Sequence, residues 1–259
     1  MNSNGVQIIY RASEGSEDED EALASSTLLL YHKSMRRKAK NFIFDLLFPK
    51  FCLSCQKEGN YLCEDCQSIL LVSGVHQKNP TQNLKDLYFA IDYQQPLIKN
   101  LIKLFKYQPF VKELVIPLTS LIITHFQLIE KSTADFVNFI LVPVPLERKK
   151  LKWRGFNQAE EIGKELANFF GIPLITNCLI KIKETLPQVE LSDEERRENI
   201  KGAFLVKDKE LIKNKKILLV DDVYTTGATM EECARVLKKA GAKEVIGIVI
   251  ARAVPGQDQ

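Results

Sequence analysis

The run Ile217-Leu218-Leu219-Val220 leads without a break into Asp221-Asp222-Val223-Tyr224 and then into Thr225-Thr226-Gly227-Ala228-Thr229. The four apolar residues do not alternate with polar ones, which suits a strand buried on both faces of a parallel sheet. Open α/β sheets bind ligands at the carboxyl ends of their strands, and this strand ends in two adjacent acids. Asp221 and Asp222 should project to opposite sides there, where carboxylates accept hydrogen bonds from vicinal sugar hydroxyls. Gly227 permits a positive φ and close backbone approach, while Thr225, Thr226 and Thr229 add hydroxyl donors. The spacing predicts a helix over 230–240, so its free N–H groups would face an anion beside this loop. A buried strand with an Asp-rich turn explains the acids but not the ordered arrival of hydroxyls, glycine and helix. The lysine and spacing of a Walker A loop are absent.

The rest of the chain supplies a matching frame. Strands are expected over 88–93, 136–144, 215–223 and 244–251, and helices over 96–107, 110–130, 158–170 and 230–240, with Pro117 kinking or restarting the second helix. Such alternation implies an α/β fold with a parallel sheet flanked by helices. With 259 residues, 45% of them apolar, the chain can bury a real core. No apolar run approaches the ~20 residues that span a bilayer. The acidic stretch over 13–21 lacks the order of a secretory signal, so a cytoplasmic location is expected. Residues 1–34 set Arg11 and Lys33 against Glu14, Glu17, Asp18, Glu19, Asp20 and Glu21. That leaves −4 there and +7 on the remainder of a chain whose net charge is +3, a basic body that suits phosphate-rich ligands.

Cys52, Cys55, Cys63 and Cys66 form C-x2-C-x7-C-x2-C, two knuckles whose thiolates can converge tetrahedrally on zinc. Ligand spacing alone also admits iron, and a disulfide reading would need an oxidising compartment. Gly59 supplies the reversal between knuckles. Cys178 and Cys233 read as small buried hydrophobes. Three parts are therefore expected: a disordered acidic extension over 1–34, a basic helix plus zinc ribbon over 35–75, and an α/β domain over 85–255. Residues 72–83 read as a linker in which His76 is exposed, and neither His32, His76 nor His125 shows a partner.

After the strand over 136–144 comes a second constellation, in which Arg148, Lys149, Lys150, Lys152 and Arg154 are cationic. As a loop at the carboxyl edge they could bind a pyrophosphate group, with Arg148 and Arg154 preferred for their guanidinium forks and Lys149 beside them. A third cluster holds Thr185-Leu186-Pro187-Gln188, then Ser192 as an N-cap with Glu195 completing a capping box. Arg197, Asn199, Gly202, Ala203 and Phe204 follow it.

The stretch over 217–229 resembles the signature of type I phosphoribosyltransferases, which use 5-phosphoribosyl-1-pyrophosphate. That resemblance implies a type I phosphoribosyltransferase-like fold. It assigns the ribose hydroxyls to Asp221 and Asp222 and the 5′-phosphate to Thr225, Thr226, Gly227, Ala228 and Thr229. Together with the four cysteines, Pro143-Val144-Pro145, Arg154-Gly155-Phe156-Asn157-Gln158, and the Arg197 to Phe204 cluster, the package resembles the ComF family of competence-associated proteins. What that implies is a phosphoribosyltransferase-like domain behind an N-terminal four-cysteine zinc ribbon, linked to DNA uptake, with single-stranded DNA and a helicase as partners. It also implies Mg²⁺ at the pyrophosphate, a structural zinc, and Asp221, Asp222 and Arg154 as the catalytic set of a glycosyl transfer. Thr225 stands where the relatives acting on 6-oxopurines carry a proton-accepting acid, which argues against hypoxanthine–guanine salvage and leaves the acceptor open. The alternative is a non-enzymatic single-stranded-DNA-binding or adaptor protein on the same fold, with Phe42, Trp153 and Phe156 among basic residues.

Overall fold

A computed structural model describes residues 49–108, 110–184 and 193–253, and those from Phe51 onward form one compact unit. The acidic extension and nearly all of the basic helix expected before the first knuckle lie outside the described residues, as do Thr185-Leu186-Pro187-Gln188 and Ser192.

Five strands make the main sheet: β1 (Gln77–Lys78), β2 (Asp86–Asp92), β3 (Phe139–Pro143), β6 (Lys216–Tyr224) and β7 (Glu244–Arg252). Their spatial order is β1-β2-β7-β6-β3. β2, β7, β6 and β3 are parallel, and β1 adds antiparallel to the outer edge of β2. The continuous apolar runs predicted this burial: every residue of β3 is buried, as are Ile217, Leu218, Leu219 and Val220 in β6. A separate antiparallel pair, β4 (Leu179–Lys181) with β5 (Phe204–Val206), has no counterpart in the sequence reading, because three-residue strands carry too little periodicity.

Helices cover both faces. α3 (Val115–Leu128) and α5 (Gln158–Phe170) share one core cluster with Leu141, Leu218, Val220, Ile246 and Ile248. α7 (Ala228–Lys239) shares the other with Ile217, Leu219, Val245 and Val249, together with Leu179, Phe204 and Ile200 at the end of α6 (Asp193–Ile200). Pro117 restarts the helix rather than kinking it. A 3-10 turn at Lys112–Leu114 precedes α3, and the proline falls in the first turn of α3, where its missing N–H leaves no bond unmade.

Helix α2 (Pro96–Lys106) follows β2 and buries Ile98, Leu101, Ile102 and Phe105. At ~1.5 Å per residue it can reach across the carboxyl edge of neighbouring strands, which lie ~4.8 Å apart. Its C-terminal lysine lands at the end of β6.

The four-cysteine module packs on the same core. Cys52, Cys63 and Cys66 share a cluster with Phe105 and Leu121, and Gln67 Nε2 donates to Ser120 Oγ at 2.8 Å. Gly59, at φ 124°, makes the expected reversal, and Cys63 caps the short helix α1 (Glu64–Ser68). The segment read as a linker is instead bound to the sheet edge through the Val72–Ile91 bridge and β1. Both described histidines have partners, against expectation. His76 is half-buried over the Tyr88 ring with Nε2 3.4 Å from Asp86, and His125 is fully buried with Nδ1 2.6 Å from the Ser73 carbonyl. Polar and apolar spacing cannot reveal partners that are distant in sequence.

Because the cysteine module is continuous with the main core, changing Cys63→Ser should lower the single melting transition of the whole unit. A drop of roughly 2–5 kcal/mol is expected. Calorimetry showing an unchanged main transition with a separate small one would contradict this.

Candidate functional site

The site is presented by an unequal pairing of β6. Its neighbour β7 follows it to the Tyr224–Arg252 pair, whereas β3 stops at the Pro143–Val220 pair. Val144 N donates once more, to Val220 O at 2.8 Å, and beyond that Asp221 to Tyr224 have no strand on the β3 side among the described residues. The acid pair thus stands at an open corner of the carboxyl edge.

Asp222 is buried at 7% exposure and pairs with Lys106 of α2, Nζ to Oδ1 2.8 Å. Asp221 turns toward the opposite face, where its charge acts on Lys181 of β4 and Cys233 of α7, and its Oδ1 accepts the Asp222 N–H at 2.9 Å. Burial and the adjacent Asp222 charge push the Asp221 carboxyl up to about 7, with Lys106 opposing them. Burial works against the Lys106 ammonium, yet the two carboxylates outweigh it and hold the lysine above its ordinary value.

The loop after β6 runs straight into α7. Gly227 is the N-cap of that helix at φ 77°, and a Cβ there would meet the Tyr224 hydroxyl oxygen at 2.2 Å. Glycine is required twice, for its backbone conformation and for the tyrosine ring lying over it. Thr226 Oγ1 accepts from Ala228 N at 3.4 Å. Thr225 is exposed, Thr226 and Thr229 are half-buried and Ala228 is buried. A helix N-terminus of this kind can receive a phosphate, and the acid pair one strand-end away can accept sugar hydroxyls.

The cationic stretch expected as a loop is a helix, α4 (Arg148–Arg154), ended by Gly155 in the left-handed conformation at φ 83°. Its long straight-chain residues favour helix, and the glycine stops it. The turn of helix separates the three nominated cations. Arg148 is exposed, and Lys149 is exposed and pairs with Glu184 at 2.5 Å. Arg154 alone turns inward, where burial lowers its affinity for the proton while the Asp222 charge raises it.

The residues after Arg154 each have a local task. Phe156 packs on Phe105 with ring centroids 5.7 Å apart. Asn157 caps α5 through Ala159 N at 3.2 Å, and its Nδ2 donates to the Val144 carbonyl at 3.0 Å. Gln158, 2% exposed, donates from Nε2 to the Phe105 carbonyl at 2.8 Å and accepts from Arg154 Nη1 at Oε1. One buried amide therefore ties Arg154 to the end of α2. The sequence does not single out Lys106 or Lys181, since one lysine among Lys99, Lys103 and Lys106 on a helix carries no mark of its destination. A cleft of about 710 Å³ opens beside the loop between Thr226-Gly227-Ala228 and Lys201-Gly202. Arg235 pairs there with Glu232 and Lys201 with Glu198, while Glu231 accepts from Asn83 N at 3.1 Å.

The four sulfurs of Cys52, Cys55, Cys63 and Cys66 lie within 4.8 Å of one another. Metal–sulfur bonds of ~2.3 Å place tetrahedral ligands ~3.8 Å apart, so the donor set fits a tetrahedral metal. Burial resists ionisation of Cys52, but N–H groups of Cys55, Cys63 and Ser54 bring it to about 6, while Cys66 rises to about 12 among its neighbours despite a Ser54 contact. Four thiolates so close need a cation to coexist. Cys178 and Cys233 are both fully buried, as expected of small hydrophobes. Among the described residues no helix is long and apolar enough to cross a membrane.

Residues 158–257 match the family model of the phosphoribosyl transferase domain, which agrees with the parallel sheet and the strand–acid–loop–helix unit. The chain thus carries a phosphoribosyltransferase-like domain. Competence protein F of Haemophilus influenzae is 38% identical over 44% of this chain and 50% of its own. The DNA utilization protein YhgH of Salmonella typhimurium is 31% identical over 51% and 58%, and competence protein ComFC of Bacillus subtilis 30% identical over 44% and 45%. The chain is thus similar to competence-associated proteins of the ComF type, and it spans about half the length of the curated relatives it matches.

Two outcomes follow from the geometry. Folding raises the Asp221 carboxyl from 3.8 to about 7. The native state therefore binds more protons than the unfolded state in that window, and stability falls as pH rises through it. Asp221→Asn should melt higher than the wild type at pH 8, by roughly 1–3 kcal/mol, with the gap narrowing toward pH 5. A gap constant with pH would refute the assignment. Gly227→Ala should cost roughly 1–3 kcal/mol in denaturant titration, because the new Cβ is strained and must displace the Tyr224 ring.

Proposed function

We propose that the carboxyl edge binds 5-phosphoribosyl-1-pyrophosphate or a closely related sugar phosphate, and that the protein is a phosphoribosyltransferase serving DNA uptake. The observation that carries this reading is Asp221 and Asp222 at the open end of β6, followed by a Gly227-capped helix N-terminus. In this reading Asp221 and Asp222 take the ribose hydroxyls. Thr225, Thr226, Gly227, Ala228 and Thr229 take the 5′-phosphate through backbone N–H groups and hydroxyls. Arg154 takes the pyrophosphate, and Arg148 and Lys149, exposed on α4, add attraction at longer range.

Transfer breaks the C1–O bond of the donor and leaves its electron pair on the pyrophosphate, while a bond forms between C1 and the acceptor. Arg154 stabilises the departing charge. The carboxylates fix the sugar so that C1 faces the acceptor, and they oppose the positive charge that develops on the ring. The oxygen ligands of Asp221, Asp222 and the donor phosphates suit Mg²⁺, which would neutralise pyrophosphate. The acceptor is unassigned. The cysteine site is proposed to hold zinc in a structural role, since all four positions are filled by thiolates and none is open for chemistry.

A second reading is favoured by Trp153. It stands 57% exposed on the basic helix α4, edge-on to Phe110 with centroids 4.7 Å apart, a stacking platform of the kind used for single-stranded DNA. A helicase partner would fit the same role.

Calorimetric titration of the wild type with 5-phosphoribosyl-1-pyrophosphate and Mg²⁺ should give saturable binding that weakens at least about tenfold in Asp222→Asn. No donor binding, combined with single-stranded-DNA affinity that falls steeply with salt and is lost in Trp153→Ala, would replace the enzyme by the binding platform. Metal analysis of the purified protein should return one zinc per chain, and iron in its place would overturn the zinc assignment.

A further inference from the structure

Two cations converge on Asp222 from different elements. Lys106 reaches it from the last residue of α2 at 2.8 Å, and Arg154 acts on it from the end of α4. Both are steered by Gln158, which holds the Phe105 carbonyl, one residue before Lys106, with its Nε2 and receives Arg154 Nη1 on its Oε1. The arrangement is stiff at each link. Gln158 is 2% exposed, Phe105 is fully buried, and Phe156 packs on its ring.

This cluster holds more donors than Asp222 can use. A lysine ammonium carries three N–H groups and a guanidinium five. Lys106 commits one to Asp222, and Arg154 commits one to Gln158, while Arg154 Nε is buried with no hydrogen-bond partner among the described residues. Lys106 and Arg154 thus face the Asp221–Asp222 pair at a carboxyl-edge corner where β3 has ended, with N–H groups to spare. A buried donor left unpaired, as Arg154 Nε is, is costly unless an acceptor completes it.

We propose that Lys106 is the second cation of the pyrophosphate subsite, paired with Arg154 through Gln158, and that it binds a phosphate oxygen with the N–H groups not used by Asp222. This rests on the donor reading above and adds a residue to it from another part of the chain. Its consequence is a pyrophosphate site that does not wait for a divalent metal, because part of the neutralisation is built into α2 and α4.

The test uses inorganic pyrophosphate without Mg²⁺, titrated into the full chain as wild type, Asp222→Asn, and the double variant Lys106→Met with Asp222→Asn. The double variant removes the Lys106 and Asp222 charges together, so neither is left without the other, and its melting temperature is recorded alongside to show that it folds. Asp222→Asn, which frees Lys106, should bind pyrophosphate at least as tightly as the wild type. The double variant should bind roughly 10–100-fold more weakly, the effect of a charge-assisted hydrogen bond. Lys106→Arg with Asp222→Asn should recover most of that loss. Equal affinity of the double variant and Asp222→Asn would overturn the role of Lys106. Failure of the wild type to bind 5-phosphoribosyl-1-pyrophosphate, with Lys106-dependent pyrophosphate binding intact, would overturn the donor reading and leave Lys106 as an anion-binding residue.

Discussion

Everything at the carboxyl edge depends on where β6 loses one of its two neighbours. Parallel strands satisfy each other's backbone groups only where both are present, and β3 ends four residues before β6 does. β7 continues alongside those four, so they stay extended instead of fraying. The acids are held on the β7 side and yet face a side with no strand on it among the described residues. A β3 longer by two residues would cover that corner, and a β7 shorter by two would release it.

Placing two carboxylates in such a corner has an electrostatic cost, and the surrounding elements offset it unequally. Asp222 has Lys106 at hydrogen-bond distance. Asp221 has the Asp222 N–H and the more distant field of Lys106 and Lys181, and burial still pushes its carboxyl up to about 7. Neighbouring residues of one strand thereby acquire different chemistry because they point to different faces of the sheet. The same division runs through the motif after β3: Asn157 and Gly155 serve the backbone, while Arg154 and Gln158 are bonded to each other beside the acid pair.

The cysteine module belongs to this architecture rather than standing apart from it. Its buried sulfurs share a core with Phe105, the residue whose carbonyl Gln158 grips, so the order of the module and the placement of Lys106 rest on common packing. Close-packed interiors transmit displacement, so a change at the four cysteines can be felt at Lys106.

The continuous apolar runs of β3, β6 and β7, the acid pair, the glycine loop and the four cysteine spacings are all legible in the sequence, because each is set by neighbours within a few positions. Helix α5 is legible to the residue, since its periodicity lies between an asparagine cap and Gly171. Local pattern fails where strands are three residues long, as in β4 and β5, and where a cationic run reads as a loop although Gly155 marks a helix end. Only the tertiary structure decided that β3 stops opposite Val220, that α2 delivers Lys106 to Asp222, that Arg154 turns inward while Lys149 turns out to Glu184, and that His125 bonds to Ser73. These are contacts between residues tens of positions apart. No periodicity encodes them, and they exist only once packing has fixed the angle of each helix against the sheet.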